Sequence, residues 1–379
     1  DKIGFIALDT LDFYNASIQV YENQARPKPA LAANSLTVQL EGFLLDSLAA
    51  SNPEKIFYSD QIMLSLEDYI MQLSDSIHIL EAREVLLSTE DHKLNALGVK
   101  LSPVAHPPGR SQYYVNIPGF LIQGLDLYRF YHQKELPVDQ LLISYPDLQI
   151  RHVRKADTSR QPRFSANDLY LMTSGFLHEL SVRTLHMQQG QLDFSSVMPG
   201  KDPFRAKGEL SFRLQDFRLS PQTVFRSDKL FNARNLDFSL AGLAMEFPGR
   251  TEQLTVDKLD ISTRDSSLYL SGVSFLPDTF RANQAHKTWF ALDSMTLGKA
   301  DIAGIYFEDI IDVEDIYIAG PQLFIQQSTQ KGTARPDTAQ RQSPWPLQED
   351  TAWVASKMAD TSYHAYRYVP LYAGRDTFF

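Results

Sequence analysis

The chain has 379 residues, 43% of them hydrophobic, which is enough to bury a sizeable core and too apolar for a disordered sequence. Its formal charge of −10, with scattered basic residues, argues against nucleic acid, which needs a positive face to displace counterions from the phosphates. The absence of cysteine excludes disulfides, thiolate nucleophiles, iron–sulfur clusters and cysteine-based zinc sites, and leaves the redox compartment open.

Taken in chain order, the dominant pattern is alternation of apolar and polar residues, the period-2 mark of a strand with one greasy and one wet face. It predicts strands at Ala16–Glu22, Ser35–Leu45, Gln61–Leu73, Glu84–Thr89, Leu94–Ser102, Leu141–Pro146 and Asp147–Val153. A second series follows at Gly190–Ser196, Gly208–Ser220, Asn235–Phe247, Gln253–Thr263, Ser267–Phe275, Ile316–Gly320 and Pro321–Gln327. The strands follow one another too closely for crossover helices, so the sheet is expected to be antiparallel and meandering. Helix is sparse, with short amphipathic stretches at Gly124–Tyr131, Ala300–Ile310 and Ser174–Leu180. Polar linkers rich in turn formers are expected at Arg154–Arg163 and Ser328–Ser343.

The second series repeats the first at an offset of about 174 residues. Leu36, Val38 and Leu40 fall on Leu210, Phe212 and Leu214, and Ile62, Leu64 and Leu66 fall on Leu236, Phe238 and Leu240. Thr89 matches Thr263, Gly98 matches Gly272, and, after one inserted residue, Asp126 and Pro146 match Asp301 and Pro321. The organisation read from this is one β-rich unit over 1–174, a second over 175–348, and a tail or truncated third unit over 349–379. No apolar run approaches the roughly 20 residues of a membrane-spanning helix. No signal-peptide succession opens the chain either, which reads as a mature or excised fragment.

Chemistry is sought and not found. The histidines form no H-x-x-x-H or H-E-x-x-H pair that would set two imidazoles on one metal. His78 and His92 fall on Glu252 and Ser266, so neither recurs as a site built into the repeating unit would. Adjacent acids such as Glu67-Asp68 and Glu314-Asp315 point to opposite faces of a strand and do not converge on one substrate. No G-x-S-x-G elbow, Walker loop or dinucleotide fingerprint occurs. The expectation is a protein that is not an enzyme and uses no cofactor or metal.

What remains is the apolar face. The residues expected to line it are Leu36, Val38, Leu40, Ile62, Leu64 and Leu66 in the first unit. In the second they are Leu210, Phe212, Leu214, Leu236, Phe238 and Leu240. In a closed sandwich such faces cover each other and make a structural or adhesive scaffold without ligand. In a long curved sheet the same face lines a groove for something greasy. A membrane barrel also alternates, but its strands need roughly 9–11 residues each and aromatic girdles. The fold expected is therefore mostly all-β: a tandem repeat of antiparallel meandering strands forming an elongated, curved sheet or groove, with a few short helices.

The phrases DKLDI and LDFSL, and the unit endings LPVDQLLISYPDLQI and DVEDIYIAGPQLFIQ, resemble those of AsmA/TamB-like proteins of Gram-negative bacteria. The resemblance covers the chain to about Gln327 and carries no fixed site residues. It implies a bridge-like lipid-transfer protein: a periplasmic β-groove, held at the inner membrane by a segment absent from this chain. Its partners would be phospholipid or another envelope lipid, with membrane proteins at either end.

Overall fold

In the computed structural model the alternating segments pair with their sequence neighbours into a single 16-stranded sheet. The structure describes residues 5–21, 29–46, 55–104, 111–153, 166–197, 200, 202–224, 230–250, 252–277, 286–308 and 310–327. The predicted linkers at 154–163 and 328–343 and the tail at 349–379 lie outside them.

The first series runs β1 (Phe5–Val20), β2 (Leu31–Asp46), β3 (Gln61–Gln72), β4 (His78–Ser88), β5 (Lys93–Pro103) and β6 (Gln112–Gln123). Helix α1 (Leu127–Gln133) and a last strand broken into β7 (Glu135–Ser144) and β8 (Asp147–Val153) complete it. Helix α2 (Ala166–Thr173) precedes the second series: β9 (Glu179–Val197), β10 (Phe204–Leu219), α3 (Pro221–Val224), β11 (Asn235–Glu246), β12 (Glu252–Ser262), β13 (Ser267–Pro277) and β14 (His286–Gly298). It closes with α4 (Ile302–Phe307), β15 (Asp315–Ala319) and β16 (Gln322–Gln327). The sequence offset carries each element of the first series onto one of the second. The two repeats are thus one structural motif used twice.

They also share one sheet. Every pairing within a series is antiparallel, but the broken strand β7/β8 meets β9 in parallel, Glu135 opposite Glu179 and Val153 opposite Val197. The break falls at Tyr145-Pro146, where Pro146 has no amide to give the ladder, and it recurs at Gly320-Pro321 between β15 and β16.

Irregularities recur with the same period. Asn15, Gly42, Asp68, Gly98 and Gly124 have φ of 51°, 62°, 50°, 62° and 66°, and their counterparts Gln189, Asp216, Gly242, Gly272 and Lys299 have 50°, 52°, 58°, 60° and 49°. A left-handed residue turns the backbone locally, and the register shift of a β-bulge accompanies it at Asn15, Gln189 and Gly242. The apolar residues obey it: spaced two apart elsewhere, they step three from Leu66 to Tyr69, Ala96 to Val99, Leu240 to Leu243 and Leu270 to Val273. The left-handed residue and the step together keep the same side of the strand apolar along its length.

One expectation on local structure is corrected. Ser174–Leu180 is not a helix. The helix ends at Thr173, and Glu179 and Leu180 already pair with Glu135 and Leu136 of β7. The His178 amide donates to the Lys134 carbonyl at 2.7 Å, so entry into the parallel ladder fixes this stretch in place of helical bonding. Strands β6 and β14 are additions to those read from the alternation.

Candidate functional site

One face of the sheet is apolar from edge to edge. Ala16, Leu36, Leu66, Val85, Ala96, Phe120, Ile143, Met187, Phe212, Phe238, Ile261, Leu268, Leu297 and Ile316 are successive cross-strand partners from β1 to β15. Beside this row runs a second, Phe13, Val38, Leu64, Leu87, Leu94, Ile122, Leu141, Leu185, Leu214 and Leu236. No polar side chain interrupts either. The other face carries Thr37, Ser65, Leu86, Asn95, Leu121, Leu142, His186, Arg213, Asp237 and Ser262 in equivalent register. Ion pairs decorate that wet face, among them Lys207 with Asp193 at 3.0 Å and Lys258 with Asp260 at 2.7 Å. On it, partial burial and the Arg213 charge opposite push the His186 imidazole down.

The twelve residues read from the sequence all lie on the apolar face, and the register joins them in direct pairs. Leu36 faces Leu66, Val38 faces Leu64, and Leu40 faces Ile62. Leu210 faces Leu240, Phe212 faces Phe238, and Leu214 faces Leu236. Burial divides them. Leu40, Ile62, Leu210, Leu214, Leu236 and Leu240 are buried, whereas Leu36, Val38, Leu64, Leu66, Phe212 and Phe238 are only half-buried.

The division follows what lies nearby. Asp126 caps α1 by accepting the Arg129 amide at 2.9 Å, and Asp301 caps α4 by accepting the Gly304 amide at 3.0 Å. Helix α1 leaves β6 and reaches the far connection between β2 and β3, where Tyr131 meets Phe57 edge-on at 5.1 Å. Its Leu127 and Tyr128 pack on the cluster of Leu40, Ile56 and Ile62. In the second repeat Ala300 and Ile302 join Leu214, Phe217, Leu230 and Leu236 in the corresponding cluster. Helix α2 adds Tyr170 to that cluster, and it is tied to the β3–β4 turn where the Ser74 amide donates to the Met172 carbonyl at 3.2 Å. The helices thus close one end of the apolar face in each repeat. All the strands belong to one sheet, so among the described residues no second sheet is stacked on the remainder.

The sequence reading missed the middle of the face: Leu87, Leu94, Ile122, Leu141 and Leu185 complete the second row across β4 to β9. Leu94, Leu141 and Leu185 fall on Leu268, Ile316 and Leu11 of the other repeat, a signal that the alignment held.

Polar groups elsewhere are engaged structurally. His78, 1% exposed, is the most buried imidazole among the described residues; its Nδ1 meets Asp75 at 2.5 Å and its Nε2 accepts the Tyr113 amide at 3.2 Å. The proton therefore sits on Nδ1, and neither nitrogen is left for a substrate. Burial would raise Asp75, but hydrogen bonds from the His78 amide and ring and from the Ile77 amide outweigh it and hold the carboxyl below its ordinary value. A shallow depression lined by Gly124, Asp139, Arg183, Asp216 and Arg218 has its charges paired, Arg183 with Asp139 at 3.0 Å and Asp216 with Arg234 at 3.8 Å. Among the described residues no group of three or more His, Asp or Glu is placed to hold a metal, and no helix is long and apolar enough to cross a membrane.

No protein-family model matches the chain, and no curated protein matches its sequence.

Proposed function

We propose that the protein is a non-enzymatic lipid carrier whose apolar sheet face forms a trough for acyl chains, with headgroups left in water. The observation that carries this reading is the pair of unbroken apolar rows, several of whose members in each repeat, among them Leu36, Val38, Leu64, Leu66, Phe212 and Phe238, are only half-buried. The longer row crosses thirteen strand spacings of about 4.8 Å, a path of about 60 Å, roughly twice the thickness of a bilayer's hydrocarbon core. Partly exposed apolar side chains recurring along such a row are unusual unless something greasy covers them. Each methylene placed there contributes about 0.8 kcal/mol, so contact along a whole chain offsets much of the cost of leaving a membrane. No cofactor or metal enters this mechanism.

The setting proposed is the bacterial envelope, in the periplasm, with phospholipid or a related envelope lipid as cargo and membrane proteins as the partners at either end. The resemblance in sequence supports this setting. The test is mass spectrometry of lipid extracted from the gently purified protein, joined to transfer of fluorescent phospholipid between vesicles. Stoichiometric lipid and accelerated transfer are expected. Lipid-free protein that leaves transfer at the background rate overturns the reading in favour of a structural or adhesive scaffold.

A further inference from the structure

Among the described residues the parallel joint between the repeats is present once, and its two halves occur once more, unjoined. By the repeat, β15/β16 corresponds to β7/β8 and β1 corresponds to β9. Among the described residues no strand pairs with the outer edge of β1 or of β15/β16. We propose that the chain assembles head to tail, the β15/β16 edge of one copy pairing in parallel with the β1 edge of a second copy.

The internal joint fixes the register that such pairing would take. It sets Leu141 opposite Leu185, Ile143 opposite Met187 and Leu148 opposite Leu192. Carried through the repeat, these pairs become Ile316 with Leu11, Ile318 with Phe13 and Leu323 with Ile18. Apolar meets apolar in each. The edges also display the surface that the joint covers. Ile316, Ile318 and Leu323 are 58%, 49% and 66% exposed and Phe13 and Ile18 are 48% and 37%, whereas Leu185 and Met187 inside the formed joint are 8%. Where the internal joint holds Asp139 and Arg183, the free edges offer Glu314 and Asp9, and Glu314 is already paired with Lys299 at 2.5 Å. Backbone hydrogen bonds and the apolar register therefore carry the contact, as in strand addition generally. It is heterologous, so each added copy leaves one edge open for the next. The apolar rows would run on from Ile316 into Leu11 without a break. This inference stands whether or not the trough carries lipid.

The experiment is sedimentation velocity of the full chain over a rising concentration series, with two double variants whose fold is checked by circular dichroism. Ile318→Lys with Leu323→Lys blocks one edge, and Phe13→Lys with Ile18→Lys blocks the other. The wild type is expected to move to two and more times the monomer mass. Each variant alone stays monomeric, and an equal mixture of the two forms a dimer and nothing larger, since each variant retains the edge that the other has lost. Wild-type monomer at every concentration, self-association of either variant alone, or a mixture that stays monomeric overturns the proposal.

Discussion

Thr89 clasps Ile62: its Oγ1 accepts the Ile62 amide at 2.7 Å, while its own amide donates to the Ile62 carbonyl at 3.0 Å. Thr263 repeats the clasp on Leu236, with its Oγ1 accepting at 2.8 Å and its amide donating at 2.9 Å. Each clasp locks the start of a strand whose second residue belongs to the apolar face. Thr89→Val and Thr263→Val keep the shape and orphan one amide. Each is expected to cost about 1–2 kcal/mol in denaturant unfolding. An effect confined to one repeat would show that the two clasps are not equivalent.

The left-handed glycines supply a graded comparison. Gly242 and Gly272 both have left-handed φ, but a Cβ on Gly242 meets open space, whereas on Gly272 it falls 2.0 Å from Oδ2 of Asp257 and 2.7 Å from that residue's Cβ. Gly242→Ala is expected to cost about 1 kcal/mol, the conformational penalty alone. Gly272→Ala costs more, and adding Asp257→Ala recovers part of the excess. Thermal midpoints of the three variants rank them; equal losses for the two single changes would mean that the carboxylate swings clear.

Acid should reach the Asp75–His78 pair in a definite direction. The folded carboxyl titrates below its unfolded value, so its contribution is complete above the ordinary carboxylate range and is lost as pH falls from there through the lower folded value. Asp75→Asn is therefore expected to be less stable than the wild type at neutral pH, with the gap narrowing below about pH 4. Melting curves from pH 7 to pH 3 check this; a gap that holds constant would assign the loss to geometry rather than charge.

Burial separates packing from lining on the apolar face. Leu236, 4% exposed within the larger cluster, should lose about 2–4 kcal/mol on change to Ala. Leu64 and Phe238 are half-buried, so Leu64→Asp with Phe238→Asp should leave a folded sheet that no longer captures lipid. A folded double variant with undiminished capture removes these two residues from the lining.

The fold was legible where local alternation is regular and repeated. Leu36, Val38 and Leu40 fall on Leu210, Phe212 and Leu214 because cross-strand partners in both units need the same apolar side chains. Strand β6 hid because Pro118-Gly119 interrupts its pattern. Strand β14 hid because Leu292 and Met295 stand three apart, which breaks the alternation. The helix misplaced at Ser174–Leu180 ceded its end to a partner strand far upstream. The parallel joint had no local signature, since nothing near Leu141 in sequence announces that Leu185 will lie beside it. The burial that sets Leu40 and Ile62 apart from Leu64 depends on a helix arriving from the far side of three strands.

Apart from that single joint, each strand's main partners are the ones that precede and follow it along the chain. Such a ribbon has no central knot of long-range contacts to melt all at once, and its stability is distributed link by link. Protection against amide hydrogen exchange should therefore climb from both extremities, β1 on one side and β15 on the other, toward β9 and β10 at the middle. Assembly of the ribbon can begin at any hairpin and zip outward, a growth mode that tolerates lengthening by whole modules.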